Sequence, residues 1–361
     1  MANLTDALRI SPSLVSVGIV NWNSGDCLRR CLRSVAAQTY APLEIIVVDN
    51  ASTDGSADRA EAGFPQVRIV RNGENRGFAR AQNQAIRLSR GAYYMPLNPD
   101  VELSPRFVEE TVRALEKRPA FGYASGLVYF AAGDTGLEHV VYSSGHLFVR
   151  NFHAYNRFER VRRRPEEFEE GEVGGASGVC PLYRRSMLDD VAVGGEFFDE
   201  SFFLYVEDVD LDWRAHLAGW RCWFTPHAQA WHVMEATGGA DCARIRAQIA
   251  ANRWLMILKN ADLWMLARRL PFVVKFEMTR TLPLLARRPT SFLHLVRDFG
   301  RGLPRALRKR RLGKAKRRWS SRRILEWMGR NLAQLRWSND LARRRGRYAR
   351  RDGQLSTPAG R

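Results

Sequence analysis

Four stretches of this chain run from apolar residues into small, polar or acidic ones, and chemistry could sit at those ends. Ala92–Leu97 leads into Asn98-Pro99-Asp100, and Leu43–Val48 leads into Asp49 and the polar run to Ser56. Val15–Val20 leads into Asn21-Trp22-Asn23, and Val67–Val70 into Arg71-Asn72-Gly73. Short apolar runs bounded in this way are the pattern of strands buried in a parallel sheet. Open α/β sheets bind ligands at the carboxyl ends of their strands, so these four ends predict one crevice. There Asp49 can accept hydrogen bonds from a base or ribose, and Asp100 can hold a ligand or a metal ion. Further on, Glu207-Asp208 falls in the first turn of a helical pattern, where the helix dipole favours ionised carboxylates. His232 ends a strand-like run.

The elements that must position these residues follow from periodicity. Helices are predicted over Asp26–Gln38, after Asp54-Gly55-Ser56, over Phe78–Ser89, and from Ser104-Pro105 to Lys117. Alternation with the strands predicts a mostly parallel sheet covered on both faces. Phe121–Phe130 and Val140–Val149 read as strands, and Arg157–Glu172 as a mobile surface loop. Glu207–Leu217 reads as a helix burying Val206, Val209, Trp213 and Leu217, with Asp210 and Asp212 as acids decorating its start. Arg221–Thr225 and Ala228–His232 read as two short strands. From Ile245 the pattern is helical, cut into short pieces by Pro271, Pro283, Pro289 and Pro304. A last helix is expected around Ile324–Leu335.

Bulk composition sets bounds. The net charge is +19, yet residues 261–361 hold 28 Lys and Arg against 6 Asp and Glu, a net of +22. The first 260 residues are therefore slightly acidic, and all the excess positive charge lies behind them. No run reaches the roughly 18–20 apolar residues of a membrane span, and Met1–Leu14 lacks the regions of a signal peptide. The five cysteines lack paired zinc spacing and read as buried reduced thiols. Neither a P-loop nor a Gly-x-Gly-x-x-Gly turn is present to cradle phosphates.

Taken together, Val47-Val48-Asp49-Asn50-Ala51-Ser52-Thr53-Asp54-Gly55-Ser56, Asn75-Arg76-Gly77-Phe78-Ala79, Asn98-Pro99-Asp100, Gly175-Ala176-Ser177-Gly178, Phe203–Asp210 and Trp231-His232 form an ordered set. Through them, residues 14–260 resemble the inverting glycosyltransferases of family 2, and within these the rhamnosyltransferase-like branch. The resemblance implies a GT-A fold, an α/β class with a Rossmann-like, mostly parallel central sheet. It implies a glycosyltransferase domain over 1–260, with a nucleotide-sugar half at about 14–100 and an acceptor half at about 101–260. Residues 261–361 would follow as a basic, Trp-containing, helical and partly disordered region.

In residues, the resemblance implies Asp208, with Glu207, as the acceptor's general base. Asn21, Asn23, Asp49, Ser52, Asn75, Gly77, Arg80, Asn98 and Asp100 would bind the nucleotide sugar, and Gly175, Ala176, Ser177 and Gly178 the acceptor. Asp100 and His232 would hold Mg²⁺ or Mn²⁺, a hard cation that keeps several waters and so suits a sparse site. The family's Asp-x-Asp motif is Asn98-Pro99-Asp100 here, which leaves one carboxylate for the metal. The implied donor is dTDP-L-rhamnose, and the acceptor a hydroxyl of a lipid-linked or cell-surface polysaccharide. The protein would be cytoplasmic and peripheral at the inner face of the cell membrane.

Other readings are a sugar nucleotidyltransferase, or a degenerate GT-A domain that binds membranes or nucleic acid. The first would want a Gly-rich basic loop, which Ser16–Asn23 does not supply. The second finds support only in Asn98. For the basic region, the clusters Arg301–Arg323 and Arg343–Arg351, with Trp319, Trp327 and Trp337 among them, suit an anionic membrane surface. Such charge also binds nucleic acid through phosphates, but specific nucleic-acid binding is not expected.

Overall fold

The computed structural model of the protein describes residues 13–131, 137–233, 242–281, 289–330, 349–351 and 354–356. Four parallel strands come first: β1 (Val15–Asn21), β2 (Leu43–Asp49), β3 (Arg68–Arg71) and β4 (Tyr93–Leu97). Each is followed by a turn, and between them lie α1 (Asp26–Ala36), α2 (Ser56–Gly63) and α3 (Phe78–Leu88). Their spatial order is β4-β1-β2-β3, in register, with Asn21 beside Asp49 and Asp49 beside Arg71. The four polar strand ends therefore share one sheet edge.

The second half extends the same sheet. After β4 comes β5 (Val101–Leu103), and α4 (Phe107–Glu116) follows it. The long β6 (Phe121–Phe130) is buried throughout. Val140–Val149, expected as one strand, is split into β7 (Val141–Ser143) and β8 (His146–Phe148), and β8 pairs with β9 (Ala154–Asn156). The split falls at Gly145, whose φ of 107° takes the backbone out of the extended region.

Beyond them are β10 (Gly171–Val173), β11 (Leu182–Arg184), α5 (Arg185–Val191), α6 (Glu207–Leu217) and β12 (Arg221–His232). The full order is β10-β12-β6-β11-β4-β1-β2-β3, with β5 antiparallel on β12 and β7 on β6. The two short strands expected over 221–232 are one strand. Its register against β6 shifts between Phe224 and Gln229, around Pro226, because proline cannot donate to the ladder and is accommodated at an irregularity.

Residues 157–172 are not a mobile surface loop. Phe158, Val161 and Phe168 are buried in the core, and the backbone N–H of Val141 donates to the carbonyl of Val161. The guanidiniums of Arg157 and Arg163 lie over the Phe158 ring, at 5.4 and 4.6 Å. Charged side chains here cover aromatic surface with their stems and planes, which a polarity pattern cannot reveal.

The C-terminal helices are α7 (Cys242–Asn260), α8 (Leu263–Phe276) and α9 (Pro289–Gly313), and residues 321–330 are helical too. Pro271 and Pro304 lie inside α8 and α9 rather than ending them. Pro283 and residues 331–335 of the last expected helix lie outside the described residues, as does most of the Arg343–Arg351 cluster. The expected boundary at residue 260 falls inside a shared core, in which Phe148, Phe202, Trp213 and Leu217 pack with Leu255, Met265, Val273, Ala306, Ile324 and Trp327.

A buried ionic network ties α9 and α7 to the sheet domain. Lys259 Nζ lies 2.5 Å from Asp199 and 2.8 Å from Asp210, and Lys309 Nζ lies 2.5 Å from both Asp199 and Glu196. Burial alone would raise the Asp199 carboxyl, but the two ammonium groups outweigh it and hold it well below its ordinary 3.8. A carboxyl depressed in this way stabilises the fold above its ordinary value and loses that contribution as the pH falls below it. Asp199→Asn is expected to cost about 3–5 kcal/mol in urea unfolding at neutral pH, since two buried ammonium groups lose their shared partner. The wild type should lose part of this advantage below pH 3.8; equal stability of the two proteins at neutral pH would refute it.

Candidate functional site

The wall under the first two strand ends is built by side chains that bond to each other. Asn21 Nδ2 lies within donating distance of Asp49 Oδ1 (2.8 Å), Ser52 Oγ (3.1 Å) and Ser56 Oγ (2.9 Å). Asp49 Oδ2 also accepts from the Ser52 N–H at 3.2 Å. The Asn23 N–H donates to Ser52 Oγ, and Asn23 Oδ1 accepts from the Thr53 N–H. Asp54 accepts from Gly25 and Ser56. Burial pushes its carboxyl up, but those bonds outweigh it and hold it below the usual range. Asn21, Asn23 and Ser52 thus cross-link the loops after β1 and β2. Trp22 is exposed beside them.

The third wall is the turn into α3. Asn75 Oδ1 accepts from the Gly77 N–H at 2.9 Å, and Asn50 Nδ2 donates to the Gly77 carbonyl at 3.2 Å. Gly77 has φ 80°, and a Cβ there would come within 2.5 Å of the Phe203 ring; only glycine fits. Arg80, one turn into α3, has Nε 3.8 Å from Glu200 and is half exposed.

Asp100 and His232 are far apart in sequence and adjacent in space. Antiparallel pairing sets His232 opposite Val101, and the Val233 N–H donates to the Asp100 carbonyl. As a result His232 Nε2 lies 3.2 Å from Asp100 Oδ2, with both side chains buried. The Tyr142 ring meets the His232 ring edge-on at 4.6 Å, and its hydroxyl shares a hydrogen bond with Ser177. Burial raises the Tyr142 hydroxyl above its ordinary value, and the charges of Glu159, Asp208 and Asp100 add to the rise. One phenol therefore feels both the Asp100 end of the crevice and Asp208. Asn98 lies on the turn between β4 and β5, and its N–H donates to the Val179 carbonyl.

Asp208 lies at the start of α6 and is only partly buried. Its Oδ2 accepts from the Gly178 N–H at 2.8 Å, and its Oδ1 from the Val209 N–H at 2.7 Å. Behind it stand His146 and Asp212. His146 Nδ1 lies 2.7 Å from Asp212 Oδ2, and His146 Nε2 lies 3.9 Å from Asp208 Oδ2. Burial opposes a charge on His146, but Asp212 and then Asp208 outweigh it, so the imidazole sits above its ordinary value. Burial lifts Asp212 to about 6, against the bond from His146. The backbone of 174–178 wraps this pair: the Ala176 N–H donates to Asp212 Oδ1, and a Cβ on Gly175 would collide with the Asp212 carboxylate.

The expectation that Asp210 and Asp212 decorate a surface is therefore wrong. Both are fully buried, Asp210 between Arg214, Lys259 and Asn260, and Asp212 against His146. The helix start faces inward because the acids have partners from elsewhere in the chain, Lys259, Asn260 and His146, of which the local polarity pattern carries no sign. Glu207 is buried as well, and its Oε2 has no hydrogen-bond partner among the described residues. Burial first, then the charge of Asp208, pushes its carboxyl up to about 8.

The segment entering α6 is strained. Phe203, Tyr205 and Val206 have φ of 61°, 71° and 76°, a region L-residues rarely visit and β-branched ones least of all. It is held from α7: Asn252 Nδ2 donates to the carbonyls of Phe202, Leu204 and Tyr205, and Gln248 Nε2 to those of Phe202 and Leu204. Sequence reasoning missed His146, Tyr142, Gln248 and Asn252. The only signal was the i, i+4 spacing of the last two, which puts them on one helix face.

A mostly parallel sheet flanked by helices, with polar and acidic residues at the carboxyl ends of its first four strands, has the GT-A type of fold. The chain belongs to glycosyltransferase family 2: the model of "Glycosyl transferase family 2" matches residues 16–192, and the protein is a transferase. It is 29% identical over 268 residues to the N-acetylglucosaminyl-diphospho-decaprenol L-rhamnosyltransferase of Mycobacterium tuberculosis, covering 70% of this chain and 86% of that one. The fold matches S. aureus TarS 1–349 (TM-score 0.51, 17% identity, 94% of this chain and 95% of that one). It also matches GalNAc-T7 with UDP, GalNAc and Mn²⁺ (TM-score 0.52, 14% identity, 77% and 59%).

The buried Glu207 yields a pH prediction. In the native state it keeps its proton to about 8, whereas the ordinary value is 4.5, so native protein binds more protons in that interval and loses stability as pH rises through it. The melting temperature of Glu207→Gln, relative to wild type, should climb between these two pH values and level off above them. A difference independent of pH would mean that Glu207 is ionised in the native state.

Proposed function

We propose that this chain transfers a sugar, L-rhamnose from dTDP-L-rhamnose, to a hydroxyl of a lipid-linked or cell-surface polysaccharide acceptor, with inversion at the anomeric carbon. The observation that carries the reading is the convergence of Asp100, His232 and Asp208 around Tyr142. The choice of donor and of a lipid-linked acceptor leans on the likeness to the mycobacterial rhamnosyltransferase.

Asp49 and Trp22, at the ends of β2 and β1, border the base and ribose of the donor. Asn75, Gly77 and Arg80 line the diphosphate side. Among the described residues no cluster of three or more His, Cys, Asp or Glu could hold a metal ion by itself. The pair Asp100 and His232 fits a hard cation that takes its remaining oxygens from water and from the donor diphosphate. Those two residues would hold Mg²⁺ or Mn²⁺, which when bound neutralises charge on the departing nucleoside diphosphate. The acceptor lies against the 175–178 backbone. Asp208 takes the proton from its hydroxyl as that oxygen bonds to the anomeric carbon and the bond to the diphosphate breaks. The Gly178 and Val209 N–H groups hold the Asp208 carboxylate, and the His146–Asp212 pair backs it. Such an acceptor places the enzyme on the cytoplasmic face of the membrane.

The test is a panel of nucleotide sugars assayed for release of nucleoside diphosphate with and without chelator. Asp100→Ala should abolish the metal-dependent release, and Asp208→Asn should lower kcat for transfer by about 10²- to 10⁴-fold while donor affinity holds. Near-normal turnover by Asp208→Asn would remove the base from this account.

A further inference from the structure

Among the described residues, fourteen large hydrophobic side chains are exposed, and eleven of them lie between Leu263 and Leu312. The sheet domain supplies only Trp22, Phe203 and Trp231. On α8 and the turn that follows it the pattern is regular. Leu263, Leu270, Val274 and Met278, exposed by 79, 54, 48 and 58%, are spaced by seven, four and four residues, which sets them along one side of a helix. The opposite side is also apolar: Met265 and Val273 are buried, and Phe276 packs on the His153 ring at 5.2 Å. Two sides of α8 are therefore apolar, and among the described residues nothing covers the exposed one. No helix of the described residues is long and apolar enough to cross a membrane.

Charge selects the occupant. Leu263–Phe276 contains no acid. The two acids at its ends are engaged, Asp262 accepting from the Met265 N–H and Glu277 paired with Arg253. Arg268 stacks over Trp264 at 4.6 Å, and Arg297, Arg301, Arg305, Arg308 and Arg311 are exposed along α9. Exposed basic side chains on α8 and α9, together with the exposed apolar stripe, complement anionic phosphates above acyl chains.

We propose that α8 lies in the plane of an anionic bilayer surface, its Leu263–Met278 stripe among the acyl chains and the basic side chains of α8 and α9 at the lipid phosphates. This rests on the reading of a membrane-borne acceptor and moves its anchor. Trp319 and Trp327, which the sequence suggested for the membrane, instead pack on His216 inside the protein. The placement also orients the active site. Phe276 and Phe272 touch His153 and Arg150 in the hairpin of β8 and β9, and β8 begins at His146, directly behind Asp208. The docked helix thereby holds the acceptor side of the crevice next to the membrane.

The experiment uses the full chain with vesicles of phosphatidylcholine, with and without phosphatidylglycerol, and the variant Leu270→Asp/Val274→Asp, whose sites are solvent-exposed. Wild type should sediment with the anionic vesicles and not the neutral ones, and the variant should bind at least about tenfold more weakly. Both should release nucleoside diphosphate from the donor in solution at equal rates, so loss of that activity in wild type would indict the glycosyltransferase reading rather than the anchor. Undiminished vesicle binding by the variant overturns the proposal. So does a wild type that ignores anionic vesicles but dissociates from oligomer to monomer on the double substitution.

Discussion

The burial of acids at the start of α6 is the constraint on which the rest of this structure depends. Glu207, Asp208, Asp210 and Asp212 lie within six residues, and three of the four are shielded from water. An isolated buried carboxylate is costly unless it is paired, hydrogen-bonded or neutralised. Each acid here meets that demand differently. Asp210 is paired with Arg214 and Lys259, Asp212 with His146, and Glu207 keeps its proton. Asp208 is held by backbone N–H groups and is the one of the four left partly open to solvent.

Those pairings tie the C-terminal helices to the sheet domain. Lys259 and Asn260 from α7 and Lys309 from α9 supply the partners of Asp210 and Asp199, while Gln248 and Asn252 fix the strained backbone at 202–206. Strain of this kind persists only where the surroundings over-determine it. The amides on α7 clamp the carbonyls of the segment, and the Phe203 ring fills the space above Gly77 at the turn into α3. That turn, α6 and the C-terminal helices are thus coupled through direct contacts. By contrast, the loops after β1 and β2 are held to each other by the bonds of Asn21 Nδ2 to Asp49, Ser52 and Ser56.

Much of this was legible in the order of the residues. The four strand ends, the α/β alternation and the acids at 49, 100 and 208 could be read directly, because buried parallel strands are uninterrupted apolar runs and turns need small or polar residues. Asn98-Pro99-Asp100 could be located, and so could His232 at the end of a strand. Two of the misreadings share a cause: Asp210 and Asp212 are buried, and at 157–172 half-buried arginines cover buried aromatic rings, whereas a pattern of polarity reports both stretches as surface. Their partners lie far off in sequence: Asp212 bonds His146 across 66 residues, and Lys309 bonds Asp199 across 110.

What the sequence determined by itself was therefore local: which runs are strands, where each ends, and which side chains wait there. Tertiary structure alone decided the pairings, since the Asp100–His232 contact exists only because β5 lies antiparallel on β12. It also decided which apolar residues were left uncovered. The α8 stripe and the tryptophans at 319 and 327 are alike in hydrophobicity, and packing left the first in solvent and took the second into the core. Periodicity encodes the faces of an element, but which face finds a partner depends on segments that folding brings together.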